Sequence, residues 1–221
     1  MEKSYILNII YIKKIMCGRY VITKPFSKTK KLVKKAIKVE DFNNYNSHPT
    51  QFLPVIKKYI NGNTLENLRW GIFPPWAKKR DFKPFINARL ETIKEKASFK
   101  NLFKFSRCII IADGYYEWRP NGKIKDPYYL FRKDNKAVYF AGIFQNQEFS
   151  IITQTASNKV SLVHHRQPVI INEKDINKYL DLKTESYQFL KKYEYPEIEF
   201  HKISKNVNNP TNNNKSLIER N

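Results

Sequence analysis

From Arg107 to Gln154 the chain carries five strand-like runs in close succession: RCIIIAD, GYYEWRP, PYYLFRK, AVYFAGIFQ and EFSIITQ. β-Branched and aromatic residues dominate them, and two of the joins are turn dipeptides, Asn121-Gly122 and Asp134-Asn135. Strands this closely spaced predict antiparallel sheets curled into a barrel or sandwich.

The flanking segments add to that core. CGRYVITK at 17–24 reads as a short strand, followed by a basic amphipathic helix capped by Ser27 and running to about residue 38, with Leu32, Val33, Ala36 and Ile37 on its apolar side. DFNNYNSHPT at 41–50 is turn chemistry. Strands over 51–60 and 64–70 follow, separated by the hairpin dipeptide Asn61-Gly62. A Pro- and Trp-rich loop, PPWAKK, leads into INARLETIKEKASFKNLFKF, which is helical in pattern in its second half. Two short helices are expected over 172–193 and a last strand in YPEIEFHKIS. The tail from Asn206 is low in complexity and expected to be mobile near its end. The fold class is therefore α+β: a single domain with a β-rich, barrel-like antiparallel core and flanking helices.

Several functional classes fall away. No apolar run approaches the roughly 18 residues of a membrane span. The opening MEKSYILNIIYIKKI has Asn8 in its apolar middle, basic residues after it and no small-residue cleavage site, which argues against a secretory signal. The two cysteines, Cys17 and Cys108, form no CxxC pair and have no clustered His partners, so no metal, cofactor or disulfide is expected and the chain reads as intracellular. A net charge of +21 favours a polyanionic partner. An AT-rich coding sequence would produce the same lysine surplus, so charge alone leaves that partner open.

Individual residues narrow the choice. Met16 precedes Cys17, and a small residue after an initiator Met permits its removal. An N-terminal Cys carries an amine and a thiol on adjacent carbons, a pair suited to aldehyde capture through an imine that the thiolate closes to a thiazolidine. Ordinary pKa values of about 7.7–8 for the amine and about 8.5 for the thiol leave both usable near neutral pH. The plainer alternative is a buried small hydrophobe. Cys108, inside the apolar run CIII, reads as core. Glu117 lies between aromatics on an expected strand, where burial would raise its pKa and suit it to proton transfer; an outward-facing surface Glu is the alternative. Arg89 and Arg166 are candidates for phosphate contacts, or for an ion pair with Glu91. Trp70, ending a strand, reads as core. Trp76, in a loop with Lys78, Lys79 and Arg80, is the better candidate for stacking on an exposed base.

Six segments in order carry a resemblance: Met16–Tyr20 (MCGRY), 46–51 (NSHPTQ), WGIFP at 70–74 with Trp76, NARLET at 87–92, Arg107-Cys108 leading to DGYYEW at 113–118, and HHRQP at 164–168. Together they resemble the SRAP family, the SOS-response-associated peptidases understood as abasic-site processing proteins, from Cys17 to about Asn208. The resemblance implies a shield for abasic sites in single-stranded DNA, acting in the DNA damage response through a covalent link to Cys17, with lyase and self-processing activity besides. It implies catalytic roles for Cys17, Asn87, Glu117 and His164, and DNA contacts from Arg19, Trp76, Arg89 and Arg166. Residues 1–16 are then an extension or a mis-assigned start absent from the active form, 17–208 the SRAP domain and 209–221 a tail. A monomer without membrane partners is expected. Gln167 departs from the family, which has Met there. The rival reading is a cysteine peptidase using Cys17 and His164, which would not need a free amine.

Overall fold

The computed structural model describes residues 17–74 and 82–221. In chain order the elements are β1 (Tyr20–Thr23), α1 (Pro25–Thr29), β2 (Lys35–Ile37), β3 (Asn43–Ser47), β4 (Phe52–Tyr59), β5 (Gly62–Trp70) and β6 (Asn87–Arg89). After α2 (Lys100–Phe105) come β7 (Arg107–Ala112), β8 (Gly114–Asn121), β9 (Ile124–Arg132), β10 (Val138–Gln145) and β11 (Glu148–Thr155). The last part holds α3 (Asn158–Ser161), β12 (Arg166–Pro168), β13 (Ile170–Ile171), α4 (Ile176–Leu180), α5 (Ser186–Lys191) and β14 (Ile198–Lys202).

The strands form two sheets. One runs β14-β9-β8-β1-β3, and the other follows β12-β11-β10-β7-β4-β5-β2. The second curls back on itself, because β11 also pairs with β5, Glu148 opposite Arg69 and Phe149 opposite Trp70. The barrel-like core expected from strand spacing is thus present, and its closure is a parallel pairing inside an otherwise largely antiparallel ring. Trp70 marks that seam. It is fully buried, stacks on Phe149 at 6.1 Å, and donates from Nε1 to the carbonyl of Ile86 at 3.0 Å.

The expected helix to residue 38 is corrected. The chain is helical only over Pro25–Thr29, and Lys35–Ile37 pairs instead in parallel with Thr64–Glu66 of β5. Lys30, Lys31, Lys34, Lys35 and Lys38 would stand as like charges at i,i+4 on a continuing helix, while strand pairing satisfies the backbone without stacking them. Ser27 does not cap; its hydroxyl and N–H donate to Asp41. The turn expected over 41–50 contains β3, whose Asn-rich backbone pairs with β1.

The tail expected to be mobile is seated. Leu217 is 1% exposed and packs with Val21, Tyr116, Tyr129, Ile203 and Val207. Buried Asn46 reaches the tail from β3: its Nδ2 donates to the carbonyls of Val207, Asn209 and Asn212 at 3.3, 3.0 and 2.9 Å. Three acceptors sharing two N–H groups hold the tail by its backbone, so composition gives little hint of it. Leu217→Asp is expected to lower unfolding free energy by about 2 kcal/mol, the scale of one buried Leu. Urea denaturation measures it, and limited proteolysis should open a new cut beyond Ser204; unchanged behaviour in both would mean the tail contributes nothing.

Candidate active site

Cys17 enters the fold just before β1, with its backbone left-handed at φ 39. It is 1% exposed, and its N–H donates to Oε1 of Glu117 at 2.7 Å. Glu117 stands on β8, which is buried on both faces here: Tyr115 and Glu117 share one face, while Tyr116 packs on the other with Val21, Tyr129 and Leu217. Gly114 allows that placement: a Cβ there would lie 2.5 Å from the Leu130 carbonyl and 2.6 Å from the Tyr129 ring, so any side chain would push β8 off β9.

The environment sets the protonation states. Burial pushes the Glu117 carboxyl up to about 8, only partly offset by the N–H groups of Cys17 and Trp118 that it accepts. Burial, then the neighbouring Glu117 charge, holds the Cys17 thiol well above its ordinary value. The pair therefore favours a neutral acid beside a neutral thiol, with one proton readily available and another firmly held.

His164 completes the cluster from the loop after α3. It is 6% exposed, its Nδ1 lies 4.0 Å from Oε2 of Glu117, and the Arg166 N–H donates to that Nδ1 at 3.2 Å. Backbone and side chain both hold this loop: the His164 N–H donates to the Val160 carbonyl at 3.0 Å, the Ala156 N–H donates to the His165 carbonyl at 3.0 Å, and Oε1 of Gln167 accepts the Ser157 N–H at 2.9 Å. Gln167 therefore has a use at the position that departs from the family pattern, since Met offers only a weak acceptor there. Cys17, Glu117 and His164, spread over nearly 150 residues of sequence, converge in this way.

The remaining candidates are held on other elements. Asn87 and Arg89 lie on β6, paired in parallel with Ile151 and Thr153 of β11. Arg89 is exposed, and its guanidinium makes no hydrogen bond or ion pair with the described residues. Arg166 adopts the alternative that the sequence left open. Its Nη1 and Nη2 donate to Oε1 and Oε2 of Glu91 at 2.6 and 2.9 Å, and Nη2 also donates to the Thr153 carbonyl. Arg19 is held by Oδ1 of Asn46 at 2.7 Å and the Val207 carbonyl at 3.0 Å. Trp76 and residues 1–16 lie outside the described residues. Cys108 is fully buried core, and no group of three or more His, Cys, Asp or Glu among the described residues is placed to hold a metal.

Asn46 was the residue whose part sequence reasoning missed. It lay inside a matched motif, but an Asn in an Asn-rich run signals a turn, and only the folded chain places it between Arg19 and the tail.

The Glu91–Arg166 pair has a measurable signature. Burial opposes the shift, yet the Arg166 guanidinium and the Thr155 N–H pull the Glu91 carboxyl from 4.5 to about 2. A depressed folded pKa means stability that is present above the unfolded value and lost as pH falls through the folded one. Glu91→Gln is expected to cost on the order of 1 kcal/mol near neutral pH, modest because the carboxylate is partly exposed. The gap from wild type should close between about pH 4.5 and 2 in denaturation curves; a constant gap would mean the charge is not what stabilises.

Residues 16–210 match the family model described as SOS response associated peptidase (SRAP). The chain is 33% identical to the abasic site processing protein YoqW of Bacillus subtilis (strain 168), over 92% of this chain and 99% of that one. It is 32% identical to the abasic site processing protein HMCES of Gallus gallus, over 76% of this chain and 63% of that one. A crystal structure of a protein from Bacteroides thetaiotaomicron shares the fold at a TM-score of 0.77 and 21% identity, covering 93% of this chain and 100% of the other. No helix among the described residues is long and apolar enough to cross a membrane.

Proposed function

Because the chain belongs to the SOS response associated peptidase family, we propose that it senses abasic sites in single-stranded DNA and shields them through a covalent bond to Cys17, made once the residues before Cys17 are gone. The observation that carries this reading is the 2.7 Å contact between the Cys17 nitrogen and Oε1 of the Glu117 carboxyl group. In the full chain that nitrogen is a peptide N–H. In a chain beginning at Cys17 the same atom is an α-amine, already touching a proton acceptor.

The chemistry then follows from the named groups. Ring opening of the abasic sugar moves a proton from the C1 hydroxyl to the ring oxygen, and Glu117 with His164 beside it can accept one and supply the other. The amine adds to the C1 aldehyde. Glu117 in its acid form protonates the departing hydroxyl, so water leaves and an imine remains. The thiol adds to the imine carbon and its proton passes to the nitrogen, closing the thiazolidine with loss of one water overall. A carboxyl with a pKa of about 8 is suited to both giving and taking protons near neutral pH. Asn87 positions the reacting groups, and exposed Arg89 holds a phosphate of the strand. Lyase and self-processing activity belong to the same reading. It assigns the protein to a monomer acting on DNA inside the cell.

The test uses a chain beginning at Cys17 and an oligonucleotide carrying one abasic site. A denaturing gel is expected to show a species stable to boiling and detergent with the single strand, and much less with a duplex or an intact strand. Equal yields from intact and abasic single strands would sink the proposal.

A further inference from the structure

Three hydroxyl side chains stand in one row across three adjacent strands. Tyr20 of β1 lies opposite Ser47 of β3 on one side and Tyr115 of β8 on the other. Residues directly opposite one another in a sheet project from the same face, and so does Glu117, two places beyond Tyr115. The Cys17 N–H is tied to Glu117 on that face. All three hydroxyl residues are fully buried, and none of their side-chain oxygens has a hydrogen-bond partner among the described residues.

Packing explains the rings but not the oxygens. Tyr20 and Tyr115 each stand edge-on to Phe140 at 5.9 Å, an arrangement Phe would make equally well. A buried hydroxyl without a partner destabilises the fold, so Phe, Phe and Ala would be the better core residues here. The row is also coupled to the thiol: burial first, and then the charge of Cys17, raise both phenols well above their ordinary value. Both therefore keep their protons at any working pH and remain hydrogen-bond donors.

We propose that Tyr20 and Tyr115, backed by Ser47, tune Cys17 by donating hydrogen bonds, directly or through one water, to the sulfur as its proton leaves. This rests on the reading of Cys17 as nucleophile. When the sulfur adds to the imine carbon, the C–S bond forms, the C=N π pair moves to nitrogen, and the sulfur's proton reaches that nitrogen through Glu117. The phenols transfer nothing; they stabilise transient negative charge in a site where burial and Glu117 oppose it. The other titratable groups that bear on the thiol and the row are Glu117 of β8, which acts on Cys17, His164 against Glu117 from the loop after α3, and Cys108 of β7, which acts on Tyr20.

The test is the pH profile of Cys17 in the full chain. Alkylation by iodoacetamide, followed by peptide mapping so that Cys108 is read separately, is run alongside the ultraviolet absorbance of the thiolate, which needs no reagent access. Tyr20→Phe and Tyr115→Phe keep both rings, and the double variant is expected to titrate about one pH unit higher, alkylating roughly tenfold more slowly at a fixed pH. Its thermal midpoint should stay level or rise, which separates tuning from damage to the fold. Superimposable profiles for wild type and double variant overturn the proposal. Shifted profiles, together with a Cys17-initiated chain that makes no adduct with abasic DNA, would instead remove the nucleophile reading and leave the row assigned to the thiol.

Discussion

Glu117→Gln is expected to give a protein that is more stable than its parent and much slower at bonding to abasic DNA. Gln fills the same volume and its carbonyl still accepts the Cys17 N–H, but it carries no proton to exchange. Loss of a positioned acid–base group lowers a rate by roughly 10²- to 10⁴-fold, while noncovalent binding to an intact strand should change little. The stability half of the expectation has a definite sign. The folded carboxyl titrates at about 8 against 4.5 for an ordinary Glu, so between those values the folded state holds more protons than the unfolded one. Wild-type stability therefore falls as pH rises from about 4.5 to about 8 and is level beyond. At about 1.4 kcal/mol per pKa unit the penalty is on the order of several kcal/mol, and Gln does not incur it. Thermal melts across this range should show the variant's advantage opening with pH. A variant as fast as wild type, or an advantage independent of pH, would separate Glu117 from the proton chemistry assigned to it.

Cys17→Ala should abolish the covalent species altogether, since no other residue offers an amine and a thiol on adjacent carbons. Acetylating the amine of a Cys17-initiated chain should do the same while leaving the thiol intact, a result that a cysteine peptidase would not share. A chain that keeps residues 1–16 should fold and bind single strands reversibly, because its Cys17 nitrogen is an amide. Intact mass before and after incubation with abasic DNA distinguishes the three. A stable adduct whose mass still includes residues 1–16 would rule out thiazolidine chemistry.

How much of this was legible in the sequence differs from element to element. The close run of strands announced the barrel because alternation and turn dipeptides are local signals. The helix expected to residue 38 was misread because apolar spacing at 32, 33, 36 and 37 outweighed the lysine repulsion, and because β5 waits thirty residues further on to pair with Lys35–Ile37. Cys17, Glu117 and His164 stood out through the motifs around them, although their convergence rests on strand order that no local pattern encodes. Arg166 could be placed only as one of two alternatives, since a guanidinium suits a phosphate and a carboxylate equally. The hydroxyl row and the Asn46 anchor were invisible: a Tyr in a strand signals core, and an Asn among Asn residues signals a turn, until register decides what lies opposite.

The left-handed backbone at Cys17 has a thermodynamic consequence for one covalent bond. A non-glycine residue at φ 39 is held there at a cost on the order of 1 kcal/mol. That torsion is defined by the carbonyl carbon attached to the Cys17 nitrogen, so it exists only while the peptide bond before Cys17 is intact. Cutting the bond abolishes the torsion and releases its energy, whereas rejoining the ends would have to wind it up again. On the proposed reading, in which the residues before Cys17 are removed, the fold thus acts as a small ratchet on that cut: it biases the chain toward the severed form, and the nitrogen that would become the amine already rests against Glu117.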